Sequence, residues 1–388
     1  MDKTIQVLLD ILKITYFNKD IKFSVSDPKK LYLMAKENGL SGTIYQTIKD
    51  KIKNEEILAK FKKDYYFYIS DDIKKTEIAK LITDSFNQLD IKHIYLKGMS
   101  IKYLYSSSYM RSKGDIDVLV KESDFDKASL ALKKIGMEFK TSGPVHDTYL
   151  FGNVEIELHR RIREEDKFKK FALLDDMFSY EYMVDGNVIV VNPEIELVYL
   201  LYHIKKHFYS TGVGLRSIID IPIYLYNLHG EIDKGKLNKL LSNTGLKAFF
   251  DNLVLICDKC FDLELCEKFN ITKEFDLELY ELFIAYVIES GTHGIGIDFN
   301  KFVNRFLINS PIKSKSKLSV IFPNFKMMSQ MYPRMLKCKI LLPIAWLRRI
   351  CRLVFKDRKL TRYKVHKLKS VNENEIDRAN DLFKKIGL

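Results

Sequence analysis

The N-terminal part of the chain has apolar residues at the three- and four-residue spacing of amphipathic helices. The first stripe consists of Ile5, Leu8, Leu9, Ile11 and Leu12. The same period continues in three further runs, Leu31–Ala35, Thr43–Ile48 and Ile78–Phe86. We therefore predict a helical region over residues 1–88.

From Ile91 the period shortens to that of strands, in which successive side chains point to opposite faces. Strands are predicted at Ile94–Leu96, Asp115–Val120, Met137–Lys140, Asp147–Phe151 and Val154–His159. One helix is predicted to open at Gly98 and another to span Ser123–Ile135, where a Ser-x-x-Asp arrangement can cap the start. Strands interleaved with helices predict an α+β core over residues 89–190.

After Val190 the helical period returns. Helices are predicted at Glu194–Phe208, Ser217–Leu228, Lys236–Leu241, Leu246–Phe261 and Leu277–Ser290, followed by a loop at Gly291–Gly296. We expect residues 191–310 to form a helical domain that provides the other wall of a cleft, and residues 311–388 to form a basic helical segment.

Size and cysteine content narrow the class of protein. The chain has 388 residues, of which 46% are hydrophobic, enough for two or three structural units. It has no apolar stretch of bilayer length and no signal-peptide pattern at its start. Its five cysteines do not form an even disulfide framework, and Cys257, Cys260 and Cys266 are interpreted as structural thiols. These features favour a reducing cytoplasm.

The formal charge of +13 is concentrated near the C-terminus. Residues 301–369 contain 19 Lys and Arg against one acid, a net of +18, so the remainder of the chain has a net of −5. Within this part, Pro343–Lys356 predicts a helix with an apolar side and a basic side. Its partner is an anionic membrane surface, nucleic acid bound through the 313–369 segment, or the body of the protein itself.

Two carboxylates lie on one face of a predicted strand, because Asp115 and Asp117 are separated by one residue. Side by side they repel each other unless a cation lies between them. A later strand places Glu155, Glu157 and His159 on one face. Such acids suit a divalent metal site for phosphoryl or nucleotidyl transfer. The alternatives are an exposed acidic face and, for His159, a hydrogen-bonded structural role.

Several other side chains are candidates for a cleft. His203 and His207 lie four residues apart on one helix face, which favours a polar face towards the cleft over a zinc site, since no third ligand is evident. Arg216 and Asp220, also four apart, predict an ion pair within a helix. His146 is a weaker candidate.

Taken in order, these motifs resemble the polymerase-β-like nucleotidyltransferase superfamily and, within it, a branch of uncharacterised bacterial nucleotidyltransferases. The motifs are Leu96-Lys97-Gly98, Arg111 to Asp117, Glu157-Leu158-His159, His203 to His207, and Arg216 with Asp220. The similarity runs from about residue 30 to residue 350. It implies an α+β fold, a polymerase-β-like mixed sheet flanked by N-terminal and C-terminal helical regions.

The resemblance also implies roles. Asp115 and Asp117 would hold two Mg²⁺ or Mn²⁺ ions against the triphosphate of an NTP, and Glu157 would complete the set and help deprotonate the acceptor. Gly98 would admit the phosphates, while Lys97 and Arg111 would neutralise the leaving pyrophosphate. Ser100 would supply the hydroxyl contact, because Met99 stands where the superfamily prefers Ser or Gly. Arg216 would position substrate or brace the cleft.

The sequence thus predicts Mg²⁺-dependent transfer of a nucleoside monophosphate from an NTP to a hydroxyl or phosphate acceptor, with release of pyrophosphate. One alternative is a non-catalytic protein on the same fold that associates with a membrane or nucleic acid. Another is a toxin-like nucleotidyltransferase that modifies RNA or protein. The location predicted is the cytoplasm, with the inner face of the membrane as the alternative.

Overall fold

A computed structural model describes residues 2–112, 114–163, 169–209, 212–291, 339–351 and 373–388, together with Phe322, Phe325 and Met328. The helices are α1 Lys3–Phe17, α2 Pro28–Glu37, α3 Tyr45–Ile48, α4 Glu55–Gln88, α5 Gly98–Ile101, α6 Phe125–Lys134, α7 Pro193–Phe208, α8 Leu215–Leu228, α9 Lys234–Thr244, α10 Lys247–Phe261, α11 Leu265–Lys268, α12 Leu277–Ser290, α13 Leu342–Cys351 and α14 Glu373–Ile386. Short 3-10 segments cover Lys102–Leu104, Ser108–Met110, Glu122–Asp124 and Lys339–Leu341, and Lys169–Tyr180 contains 3-10 turns interrupted at Phe171 and Asp176.

The strands are β1 His93–Tyr95, β2 Ile116–Val120, β3 Glu138–Ser142, β4 His146–Phe151, β5 Val154–His159, β6 Glu181–Asp185 and β7 Val188–Val191. They form one mixed sheet in the order β3-β4-β5-β2-β1-β7-β6. At its centre, β2 pairs antiparallel with β1 and parallel with β5. The chain is therefore α+β, with the five predicted strands in one sheet.

Two strands at one edge were not predicted. Strands β6 and β7 form an antiparallel hairpin where the sequence analysis placed no strand. Every residue of β6 is exposed, so it has no alternation of buried and exposed positions to reveal it. The turn contains Gly186 at φ +59°, a conformation that glycine adopts without steric cost.

The helix α4 is much longer than its predicted apolar run. It covers 34 residues and begins at a cap in which the Asn54 side chain accepts a hydrogen bond from the Ile57 amide. The buried residues of α4 are widely spaced in its N-terminal half and close together only from Ile78 to Phe86. The apolar pattern in the sequence therefore predicts only the last turns of this helix. A second local prediction is wrong: α6 has no side-chain cap at its start, and the 3-10 segment Glu122–Asp124 leads into it instead.

The apolar interior divides between the two faces of the sheet. On one face, Ile116, Val118 and Leu158 pack with residues of α4 and α6 in one cluster. On the other, Leu119 belongs to a larger cluster that joins α1 and α2 to α7, α8, α10 and α12. Because β2 alternates, Asp117 shares the face of Leu119 and points towards the helical half.

The C-terminal helix α14 packs on this helical half, with Leu382, Phe383 and Ile386 buried. Most of the basic 313–369 segment, Arg352, Val354 and Lys356 included, lies outside the described residues, as do residues 292–296 of the predicted loop. In α13, Ile344 and Leu347 are exposed while Ala345 is buried. No helix in the described ranges has the length and hydrophobicity to cross a membrane.

Candidate active site

Three carboxylates meet at the centre of the sheet. The parallel register of β2 and β5 places Asp117 directly opposite Glu157, and Asp115 immediately precedes β2. One oxygen from each lies within 4.8 Å of the others. Asp117 is buried, whereas Asp115 and Glu157 are partly exposed, so the group has a buried base and a side open to solvent.

Glu155, on the same face of β5 as Glu157, has a different partner. It accepts a hydrogen bond from Lys140 of β3 and does not belong to the carboxylate group. The alternation of the strand alone did not separate these two acids. The register does, because Asp117 pairs with Glu157 and not with Glu155.

Lys97 extends its side chain into the carboxylate group. Its Nζ lies 2.6 Å from Oδ1 of Asp117 and 4.0 Å from Oε2 of Glu157. Burial favours the neutral amine, but the negative charges of Asp117, Asp115 and Glu157 outweigh it and raise the pKa of Lys97. The lysine is therefore charged at neutral pH and balances part of the carboxylate charge.

The backbone at Lys97 is unusual. Its φ of 55° and ψ of −126° lie in a region that residues with a side chain rarely adopt. The turn closes with a hydrogen bond from the Met99 amide to the Leu96 carbonyl, 3.3 Å long. This turn carries the chain from β1 into α5 beside the acids, so backbone strain is stored at this point of the site.

Gly98 and Ser100, which are predicted to contact phosphate, both lie in the turn that begins α5. Gly98 is buried at the start of α5, a helix of only four residues. The Ser100 hydroxyl donates to the Lys97 carbonyl over 2.8 Å, so it is used within the turn. Contacts of Gly98 and Ser100 with phosphate remain predictions.

Two imidazoles face Glu157. Nε2 of His159 lies 3.2 Å from Oε2 of Glu157 and 2.9 Å from Oδ1 of Asp117, and Nε2 of His146 lies 3.4 Å from Oε1 of Glu157. Burial would raise the pKa of Glu157, but the His159 hydrogen bond and the charge of Lys97 lower it to about 2. His146 is one of the weaker candidates in the sequence. It is close to the site because β4 places it opposite His159.

Arg111, the arginine of the sequence motif, pairs with Asp220 of α8. Arg111 is buried and makes two hydrogen bonds to Asp220, from Nε to Oδ1 over 2.6 Å and from Nη2 to Oδ2 over 2.7 Å. Asp220 also accepts a hydrogen bond from the Tyr105 hydroxyl. A role for Arg111 on pyrophosphate stays a prediction, since its guanidinium is committed here to Asp220.

The predicted ion pair within α8 is wrong. Asp220 lies on the buried side of the helix and pairs with Arg111, while Arg216 donates from Nη1 to the carbonyl of Ser112 over 3.2 Å. Burial and the neighbouring charge of Arg111 lower the pKa of Arg216 to about 10. Arg216 instead borders a cleft of ≈ 330 Å³ that the three acids of the site do not line. Its charged lining residues are Lys36, Asp64, Asp71, Asp72, Arg111 and Arg216.

Helix α7 forms the opposite side of the site. The rings of His203 and His207 are 4.3 Å apart, and neither residue belongs to a metal-binding group in the described ranges. One turn earlier, Tyr199 is buried, and burial with the nearby charges of Asp117, Asp115 and Glu157 raises its pKa against the effect of Lys97. Sequence reasoning missed Tyr199, although its four-residue spacing from His203 was the available signal.

A family model described as uncharacterised nucleotidyltransferase matches residues 24–262, which is more than half of the chain. The chain belongs to this family. The match spans the whole sheet and the helices from α2 to α10. No curated protein and no solved structure matches the chain.

Family membership confirms the resemblance to the uncharacterised nucleotidyltransferases over residues 24–262, a range that ends before the predicted limit near residue 350, and assigns the chain to the nucleotidyltransferase class of enzymes. Nucleotidyltransferases in general use a divalent metal ion and an NTP. The donor set of Asp115, Asp117 and Glu157 fits such an ion, because carboxylate oxygens are hard ligands of the kind that Mg²⁺ takes. The mixed sheet is compatible with a nucleotidyltransferase fold.

Proposed function

We propose that the protein is a Mg²⁺-dependent nucleotidyltransferase that transfers a nucleoside monophosphate from an NTP to a hydroxyl or phosphate acceptor and releases pyrophosphate. The observation that carries the proposal is the convergence of Asp115, Asp117 and Glu157 from paired strands at a site open to solvent. An antiparallel β1–β2 pair and a parallel β2–β5 pair around these acids support the polymerase-β-like assignment, which is part of the proposal.

The three acids would hold Mg²⁺, or Mn²⁺ in its place, which supplies charge neutralisation to the transferred phosphate. With its pKa lowered to about 2, Glu157 is ionised at neutral pH and available as a ligand. The same low pKa makes it a weak base, so we assign it ligation in preference to deprotonation of the acceptor. Nε2 of His159 is hydrogen-bonded to Asp117 over 2.9 Å and lies 3.2 Å from Oε2 of Glu157, so His159 holds both acids in position.

Lys97 would bind phosphate oxygens once the acids are neutralised. Its ammonium lies within the group, 2.6 Å from Asp117, and its side chain is still partly exposed. A charged donor at this position is suited to the negative charge that develops on the leaving pyrophosphate. Arg216, at the edge of the cleft that Lys36 and Tyr68 also line, is proposed to position the substrate.

The proposal can be tested without knowing the acceptor. A ligand that binds the folded chain raises its melting temperature, so we expect each accepted NTP to do so only when Mg²⁺ is present. Asp115→Asn and Asp117→Asn should abolish this rise and reduce incorporation of α-labelled NTP into a cell extract by about a hundredfold or more. Equal stabilisation by NTP in wild type and in both variants would remove the assigned site.

Glu155→Gln is the matched control. Glu155 lies on the same strand face, two residues from Glu157, but pairs with Lys140. We expect this variant to keep Mg²⁺-dependent NTP binding. A loss in Glu155→Gln equal to that in Asp117→Asn would show that general negative charge, and not the defined group, is responsible.

Association of the basic 313–369 segment with an anionic membrane or with nucleic acid remains a proposal based on charge alone. A toxin-like role uses the same chemistry. It predicts growth arrest on expression that Asp117→Asn relieves, whereas a biosynthetic role predicts no arrest.

A further inference from the structure

Two imidazoles and one carboxylate converge beside the acidic group. Nε2 of His146 lies 3.4 Å from Oε1 of Glu157, and Nε2 of His159 lies 3.2 Å from Oε2 of the same side chain. One ligand atom from each of the three residues lies within 4.8 Å of the others. The nucleotidyl-transfer proposal uses Glu157 and His159 but leaves this nitrogen-containing set without a role of its own.

The sheet fixes the placement of these residues. Antiparallel pairing of β4 with β5 places His146 directly opposite His159, and Glu157 lies two positions before His159 on the same face. The rings of the two histidines are 4.8 Å apart. Ligands carried on neighbouring strands of a ladder are held more firmly than ligands on loops.

The spacing suits a metal ion bound by nitrogen and oxygen. Metal–nitrogen and metal–oxygen bonds of about 2.1 Å at angles between octahedral and tetrahedral separate neighbouring ligand atoms by about 3.0–3.4 Å. The observed separations, 3.2 Å from His159 Nε2 to Oε2 of Glu157 and 3.4 Å from His146 Nε2 to Oε1, fall in this range, so an ion between the two rings would take both oxygens of Glu157. The side chain of His159 is 8% exposed and that of His146 is 28% exposed, so the set is closed on one side and accessible from the other.

The donor types select the metal. Imidazole nitrogen suits first-row transition metals, whereas Mg²⁺ takes oxygen ligands almost throughout. A set of two histidines and one carboxylate also leaves coordination positions open for substrate or water. We propose that His146, Glu157 and His159 form a second metal site, adjacent to the Asp115–Asp117–Glu157 site, that binds a divalent first-row transition metal in preference to Mg²⁺.

This site is inferred from ligand geometry and does not require that the protein transfer nucleotides, although it shares Glu157 with the carboxylate site. Without a metal, His159 Nε2 is hydrogen-bonded to Asp117, and both rings lie in polar contact with Glu157. The two cases differ in a measurable way. A hydrogen-bonded pair binds no transition metal, and a metal site binds it through nitrogen.

The test uses Co²⁺ as the probe on the full chain after treatment with EDTA. We expect one Co²⁺ to bind in the presence of millimolar Mg²⁺, with visible absorption bands that report nitrogen ligands. His146→Gln and His159→Gln should each weaken Co²⁺ binding by about tenfold or more. His146 is the more exposed of the two, so its variant keeps the test informative if His159→Gln does not fold.

Two controls define the site. His229→Gln changes an exposed imidazole at the end of α8, and we expect Co²⁺ binding to be unchanged. Asp115→Asn removes a ligand of the carboxylate site only, and Co²⁺ binding should persist while Mg²⁺-dependent NTP stabilisation is lost. That combination separates the two sites, so failure of one proposal is distinguishable from failure of the other.

Three results would overturn the inference. The first is the absence of Co²⁺ binding under these conditions. The second is equal Co²⁺ affinity in wild type, His146→Gln and His159→Gln. The third is loss of Co²⁺ binding in His203→Gln with no loss in His146→Gln, which would assign the metal to the histidine pair on α7.

Discussion

Lys97 places its ammonium 2.6 Å from Oδ1 of Asp117, the most deeply buried carboxylate of the site. A side-chain cation therefore lies against the oxygens that the acids would offer to a metal ion. Two cations close to one carboxylate repel each other, so the lysine and a bound metal compete for Asp117. The ammonium is held there by its contacts with Asp117 and Glu157, on a residue whose backbone is itself strained.

Lys97→Met is predicted to separate metal binding from nucleotide use. Removing the competing charge should tighten Mg²⁺ binding by about tenfold, which corresponds to about 1.4 kcal/mol of relieved repulsion. Loss of the phosphate donor should lower nucleotidyl transfer by about a hundredfold. Calorimetric titration with Mg²⁺ and labelled-NTP incorporation measure the two effects. Lys140→Met, which removes the partner of Glu155, should change neither, and weaker Mg²⁺ binding in Lys97→Met would contradict the competition.

Asp220→Asn is predicted to destabilise the fold strongly. Asp220 accepts both hydrogen bonds from the Arg111 guanidinium and one from Tyr105 in a buried position, so the change leaves a buried cation without its partner. Loss of one member of a buried ion pair costs about 3–5 kcal/mol. Urea denaturation measures the free energy of unfolding. Glu56→Gln, which breaks the exposed pair with Lys60, should have no measurable effect. A loss below about 1 kcal/mol in Asp220→Asn would disprove the bracing role.

Much of the fold follows from local periodicity. The pattern places β5 at Val154–His159 and α12 at Leu277–Ser290, and both agree with the structure to the residue. Buried and partly exposed positions alternate along β5 up to Leu158, whereas in α12 the buried positions recur at helical spacing. Helix α12 also begins at a cap in which Asp276 accepts from the Leu279 amide. Where burial is sparse, as in β6 and the first half of α4, the pattern is silent.

The contents of the site depend on pairing across the sheet and between distant helices. Glu157 is distinguished from Glu155 only by its register with Asp117, and His146 is recruited only by its position opposite His159. The Arg111–Asp220 pair joins residues 109 positions apart, and a four-residue spacing rule cannot detect it. Local patterns thus identified the carboxylates, while long-range pairing decides which cations surround them.

His203 is predicted to make the protein sensitive to mild acid. Burial, with the charges of His207, Lys97, Lys206 and Arg111, lowers the pKa of His203 well below its ordinary value. In the unfolded chain this imidazole binds a proton near pH 6.5, whereas in the folded protein it stays neutral at that pH. The contribution of His203 to the free energy of unfolding is therefore complete above pH 6.5 and is lost as the pH falls below it. One such group contributes a slope of about 1.4 kcal/mol per pH unit.

In His203→Gln this slope should be absent from the pH dependence of the unfolding free energy between about pH 6.5 and pH 5. Urea denaturation at several pH values provides the measurement, and His229→Gln, at an exposed histidine, is the control. Identical slopes in wild type and His203→Gln would mean that the folded imidazole accepts its proton normally.

Arg216→Met is predicted to reduce ligand binding without loss of stability. The guanidinium makes one hydrogen bond, to the Ser112 carbonyl, and within the described chain its buried Nε has no hydrogen-bond partner. Its lowered pKa, about 10, shows that its surroundings disfavour the charge, so removing that charge costs the fold little. An anionic ligand in the cleft that Arg216 borders would neutralise the guanidinium charge and accept a hydrogen bond from Nε.

We therefore expect Arg216→Met to have an unfolding free energy equal to or above that of wild type. In this variant Mg²⁺ and NTP should raise the melting temperature less than in wild type, by an amount that corresponds to at least about tenfold weaker NTP binding. Arg111→Met should behave in the opposite way. Arg111 pairs with buried Asp220, so its loss should lower the free energy of unfolding. If Arg216→Met instead destabilises the fold as much as Arg111→Met and leaves NTP binding intact, then Arg216 braces the cleft and does not position substrate.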